Sequence, residues 1–156
     1  MVKKESKPKK RKAKAVKTKK KKKAARAFVA RGKRKESVAR AAIRDGKGVV
    51  RMNGLAVSSM NNRYIREIIL EPTRYVGPEA NNVDISVNVN GGGTMGQAQA
   101  ARTAIANALV LYFDKMNLKE KFMSIDRSLL VEDTRRVEAK KYRGPKARAR
   151  FQKSYR

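Results

Sequence analysis

Charge segregation confines the folding part of this chain to its middle. Residues 1–23 carry fourteen Lys/Arg against one acid, Glu5, a net charge of +13. Residues 135–156 carry ten against Glu138, a net of +9. The stretch between them, 24–134, holds seventeen against eleven, a net of only +6. Like charges at the density of the two ends repel, and neither end repeats apolar residues at core spacing, so neither has anything to bury. A core must come from the middle, which is long enough for one and too short for two. The expected organisation is a Lys-rich arm over 1–27, a globular body over 28–134 and a basic, extended tail over 135–156.

Within the body, Ser37-Val38-Ala39-Arg40-Ala41-Ala42-Ile43-Arg44 leads through Asp45-Gly46-Lys47-Gly48 to Val49-Val50-Arg51-Met52-Asn53-Gly54. Two short β-runs around a Gly-rich turn predict an antiparallel hairpin. Ser58 or Ser59 can cap a helix from Met60 to Leu70, ended by Pro72 because Glu71 before it is pushed out of the α region. Val83 to Asn90 alternates, with Val83, Ile85, Val87 and Val89 on one side and polar residues on the other, which predicts a half-buried strand. Gly91-Gly92-Gly93-Thr94 then opens a helix from Met95 to Phe113, striped by Ala98, Ala101, Ile105, Ala108, Leu109 and Tyr112. Leu118 to Ile125 reads as a further short helix with Leu118, Phe122 and Ile125 inward. The order predicts a single small α+β domain with helices laid on one sheet.

The chain contains neither Cys nor His. Disulfides, thiolate nucleophiles and imidazole bases are therefore excluded, and no Ser/His/Asp, Cys/His or metal-ligand constellation is present. No enzyme activity, cofactor or metal is expected. Tyr112 and Met116 read as core. No apolar run approaches the roughly 20 residues needed to span a bilayer, and the charged start leads into no apolar signal region.

Gly91-Gly92-Gly93-Thr94-Met95-Gly96 satisfies a dinucleotide-binding pattern, with Asp114 placed 18 residues past Gly96. The alternating strand before it opposes that reading, because a doubly wound parallel sheet needs strands apolar on both faces. The loop is expected to be a tight turn needing positive φ and, compatibly with that, a backbone cradle in which Gly91, Gly92 and Gly93 approach an RNA phosphate at a helix N-terminus. Glu132-Asp133, followed by Arg135-Arg136, reads as internal charge balance.

The remaining charge points to a polyanion. Arg31, Lys33, Arg34 and Lys35 crowd four cations into five residues ahead of the expected first strand. In the tail, Arg135, Arg136, Lys140, Lys141, Arg143, Lys146, Arg148 and Arg150 are interleaved with Tyr142, Phe151 and Tyr155. Cations neutralise phosphates while Arg planes and aromatic rings stack on unpaired bases, so the tail is suited to RNA. The lysine arm fits sequence-independent phosphate binding, and Pro8 to Ala13 fits a nuclear import signal equally well. A DNA-compacting protein with Lys-rich arms would explain residues 1–23 but not the aromatic tail. A small-molecule kinase would need acidic metal ligands that are missing.

Several segments together resemble small-subunit ribosomal protein nine, the universal S-nine family. They are GKRKESVARAAI at 32–43, GKGVVRMNG at 46–54, VDISVNVNGGG at 83–93, GQAQAARTAIANALV at 96–110 and DRSLLVEDTRRVEAKKYRGPKARARFQKSYR at 126–156. The ending KSYR is similar to the archaeal and eukaryotic branch. The resemblance implies a fold like the second domain of ribosomal protein S-five, with a left-handed strand-helix-strand crossover. It implies a cytoplasmic place in the head of the small subunit during translation, bound to ribosomal RNA beside neighbouring head proteins and away from membrane. It also implies that Lys153, Ser154, Tyr155 and Arg156 approach the anticodon stem-loop of P-site tRNA.

Overall fold

A computed structural model describes residues 27–114 and 117–152. The Lys-rich arm, except for its last residue, therefore lies outside the described residues, as do Met116 and Lys153–Arg156. The elements run β1 (Phe28–Arg34), β2 (Ser37–Asp45), β3 (Val50–Met52), β4 (Leu55–Ala56), α1 (Arg63–Val76), β5 (Val83–Asn90), α2 (Thr94–Tyr112) and α3 (Leu118–Ile125). The strands form one five-stranded mixed sheet in the order β1-β2-β5-β3-β4. The domain is α+β, as its alternating and helical segments predict.

The expected hairpin between residues 37–44 and 49–54 does not form. β2 pairs antiparallel with β1 on one side and with β5 on the other, and β3 joins the far side of β5 in parallel. The cause is local. Asp84 of β5 accepts hydrogen bonds from the backbone amides of Lys47 and Val49, at 2.8 and 3.0 Å, so the Gly-rich segment wraps around β5 instead of turning back. The true hairpins are β1–β2, through Lys35 at φ 53°, and β3–β4, through Asn53 and Gly54 at φ 48° and 84°. Paired positive φ values match the twist of antiparallel strands, which is why Asn-Gly suits that turn. The cation-rich segment from Arg31 to Arg34 is thus an edge strand, not a leader to one.

α1 also differs from expectation. Asn62, not Ser58 or Ser59, caps it, its side-chain oxygen accepting from the amides of Tyr64 and Ile65. Pro72 does not end the helix: it lies inside α1 and is buried, and its ring packs into the core at the expense of one backbone hydrogen bond. β5 follows the predicted span, with its four alternate aliphatics buried. α2 is covered on more than one stripe, because α1 and the sheet both pack on it. Ala100, Ala104 and Ala106 are buried along with the predicted positions except Tyr112, which is half-buried at the helix end. α3 buries Leu118 and Phe122 as expected. Ile125 is 45% exposed, since α3 ends there and the chain turns outward at Asp126.

Gly32 explains how β1 meets α2. A side chain at this position would lie 2.4 Å from the carbonyl oxygen of Ala100 and from the amide nitrogen of Ala104. The strand rests directly on the helix backbone, which the alanines of α2 permit.

Candidate nucleic-acid interface

The first cation cluster is partly neutralised from within. Arg31 donates from Nε and Nη2 to the two carboxylate oxygens of Glu132, at 3.0 and 2.9 Å. Arg34 Nη1 pairs with Asp133 Oδ2 at 2.7 Å, leaving the Arg34 Nε buried without a partner. Asp133 also accepts from the side chain and the backbone amide of Arg135. Those hydrogen bonds, the side-chain one foremost, hold the Asp133 carboxyl down at about 2. Glu132 and Asp133 are the internal charge balance expected of them. Lys33 lines a cleft of about 450 Å³ with Arg34, Arg102, Thr103 and Ser128, while Lys35 stands exposed at the tip of the β1–β2 turn.

The glycine loop sits against that same turn. Gly91 and Gly92 have φ values of 76° and 64°. The Gly91 carbonyl accepts from Ser37 Oγ at 3.0 Å and from Gln97 Nε2 at 3.1 Å. An added Cβ at Gly92 would lie 2.1 Å from Ser37 Oγ. Both glycines are thus accounted for by the turn. Gly93 is different: its φ is −103°, nothing lies within 4 Å of an added Cβ, and it opens α2 without a side-chain cap. The structure therefore brings Lys35, Gly93 and the free amides of the α2 N-terminus to one end of the sheet.

The tail has neither helix nor strand from Glu132 to Gln152. It is not straight, however. Arg148 donates from Nε and Nη2 to Glu138, at 2.9 and 2.6 Å, and Arg150 donates to the Tyr142 carbonyl at 2.7 Å. The chain doubles back around Gly144-Pro145, with Gly144 packed on the Ala149 carbonyl. Glu138, the single acid between Arg135 and Gln152, is used to close the turn, and the Arg148 hydrogen bond lowers its carboxyl pKa. Arg143 lies 5.5 Å over the Tyr142 ring. Arg136, Lys140, Lys141 and Lys146 are exposed and have no acidic partner among the described residues.

Two groups of cations escape the sequence reading. Arg102 of α2 bridges Glu71 of α1 and Asp126, each at 2.8 Å, and is mostly covered. Helical spacing could not have revealed a bridge to residues so distant in the chain. Arg40, Arg44 and Arg51 project from the sheet and are exposed. Period-two alternation around Ala39, Ala41 and Ile43 does place Arg40 and Arg44 opposite the core, so that signal was available.

Comparison with known proteins is decisive at this point. The family model for ribosomal protein S9/S16 matches residues 32–156, from within β1 through the tail. The chain belongs to the ribosomal protein S9 family. The S9 match stops short of the Lys-rich arm. Curated relatives carry the name small ribosomal subunit protein uS9. That of Halobacterium salinarum is 49% identical over 115 residues, covering 73% of this chain and 87% of the relative. Those of Picrophilus torridus and Methanococcus maripaludis are 47% and 43% identical over 114 and 117 residues, covering 73% and 72% of this chain and 86% of each relative. The kinship is archaeal, and S9 proteins are structural components, not enzymes.

Proposed function

We propose that this chain is a structural constituent of the small ribosomal subunit that binds ribosomal RNA from the subunit head. The observation that carries this reading is how the acids are spent. Glu132, Asp133 and Glu138 hold Arg31, Arg34, Arg135 and Arg148 in place, while Lys35, Arg136, Lys140, Lys141 and Lys146 are left exposed without acidic partners among the described residues. Cations held in position supply geometry, and uncompensated cations supply affinity through counterion release. The uS9 names of the relatives support the ribosomal setting, with neighbouring head proteins as further partners and the cytoplasm as its site.

The finer parts of the reading follow from the family resemblance. The β3–α1–β5 connection joins parallel strands, and the family supports its left-handed form against the usual rule. The last four residues, Lys153, Ser154, Tyr155 and Arg156, approach the anticodon stem-loop of P-site tRNA, with the Arg156 guanidinium on phosphate.

Removing Lys153–Arg156 tests the division of labour. The truncated protein should still enter small subunits, because most cations lie upstream, yet those subunits should retain P-site tRNA less well. Loss of assembly with unchanged tRNA retention in the assembled fraction would contradict it.

A further inference from the structure

The sheet has a second face that no described element covers. α2 packs on the side carrying Ala39, Ala41, Ile43 and the β5 valines, with α1 laid against α2. Residues directly opposed across a ladder share a face, so the register gives the composition of the other side. One row holds Arg31, Arg40 and Asn88 on β1, β2 and β5. The next holds Val29, Ala42, Ser86 and Arg51 on β1, β2, β5 and β3, with exposed Val29 at the edge. Arg44 lies opposite Asp84 beyond it.

We propose that this face docks the backbone of double-helical RNA, an inference that rests on the RNA-binding reading above. Three observations lead to it. First, Arg40, Arg44 and Arg51 are exposed and form no ion pair among the described residues. Arg31 and Arg40 stand directly opposite each other, an arrangement that is destabilising for like charges, and Glu132 takes only Arg31. The face has one acid, Asp84, opposite Arg44. The amides of Val49 and Lys47, and then the charge of Arg51, hold its carboxyl below the ordinary value, and a single carboxylate leaves the face net positive. A polyanion laid on the face relieves the repulsion.

Second, the floor between the arginines is made of Ala42, Ser86 and Asn88, with no aromatic ring. Unpaired bases need a stacking platform, which this face lacks and which the tail has in Tyr142 and Phe151, 86% and 68% exposed. Serine and asparagine instead suit phosphate and 2′-hydroxyl groups, the features by which a duplex is read. Third, Arg40 and Arg51 are two strands apart, about 10 Å at the usual strand spacing. That spread follows a run of phosphates better than it grips a single anion.

The test uses the full chain and its Arg40→Gln/Arg44→Gln/Arg51→Gln variant, binding a labelled RNA duplex of about 16 base pairs or one of its strands. Fluorescence anisotropy is measured across a salt series. Each lost phosphate contact lowers the slope of log K against log salt by about 0.9 on a duplex. The variant should therefore lose about 2 to 3 from its duplex slope and keep its single-strand slope. Duplex should also shield Arg40, Arg44 and Arg51 from phenylglyoxal while Arg63 of α1 stays reactive. An unchanged duplex slope, or equal losses on both RNAs, overturns the sheet-face proposal and leaves RNA binding standing. Failure of the unaltered protein to bind either RNA in a salt-dependent way overturns both.

Discussion

At the scale of single residues, the chain separates positions that shape the fold from positions free to serve a ligand. Gly92 sits at φ 64° against Ser37, whereas Gly93 has ordinary backbone geometry and open space around it. Gly92→Ala should destabilise the protein by about 1–2 kcal/mol, the usual cost of a left-handed non-glycine residue. Gly93→Ala should leave stability within about 0.5 kcal/mol but weaken RNA association, because an added methyl obstructs close approach of a phosphate to the α2 N-terminus. Thermal melts and RNA titrations of the two variants check both expectations. Asp133 makes a different kind of prediction. Its folded pKa of about 2 lies below the ordinary aspartate value of 3.8, so its contribution is present above about pH 4 and lost as pH falls toward 2. Asp133→Asn should therefore lower stability at neutral pH and flatten the acid limb of a stability profile between about pH 4 and pH 2. The glycine loop was legible in the sequence as a turn, but only coordinates distinguish the glycine that has room from the two that are packed or bent.

At the scale of elements, periodicity read the regular segments well and the connections badly. β5 and α3 occupy their predicted spans and α2 shifts by one residue, because alternation and an alanine-rich repeat are local signals. The pairing of β2 with β5, and of β5 with β3, is not local. It is fixed by Asp84 capturing the Gly46–Val49 segment, and a carboxylate some 35 residues downstream leaves no mark on the hairpin pattern. Pro72 misled for the related reason that burial in the core offsets a lost hydrogen bond. Arg102 ties these elements together by bridging α1 to the turn after α3. Arg102→Ala strands two partly covered carboxylates and should cost about 1–3 kcal/mol, read as a lower urea midpoint with an unchanged m-value. Prior replacement of Glu71 by Gln should reduce that cost, since the bridge to α1 is then already lost.

At the scale of the whole molecule, charge distribution carries the functional argument. A body of modest charge builds an ordinary core, and the acids of its C-terminal boundary position arginines while offsetting only part of the surplus. The tail was read as extended from composition, yet Glu138 and Gly144 fold it back over residues 138–150, a detail composition cannot express. The sheet face was half legible: alternation along β2 puts Arg40 and Arg44 on one side, but only the register adds Arg51 from β3 to them. The most direct measurement is sedimentation of the protein from a cell lysate on sucrose gradients, at moderate and then high salt. Co-migration with small ribosomal subunits that survives high salt is the predicted result, because a protein held by many simultaneous RNA contacts does not leave when a few are screened. Migration with DNA, or release as free protein at modest salt, would contradict a structural place in the small subunit.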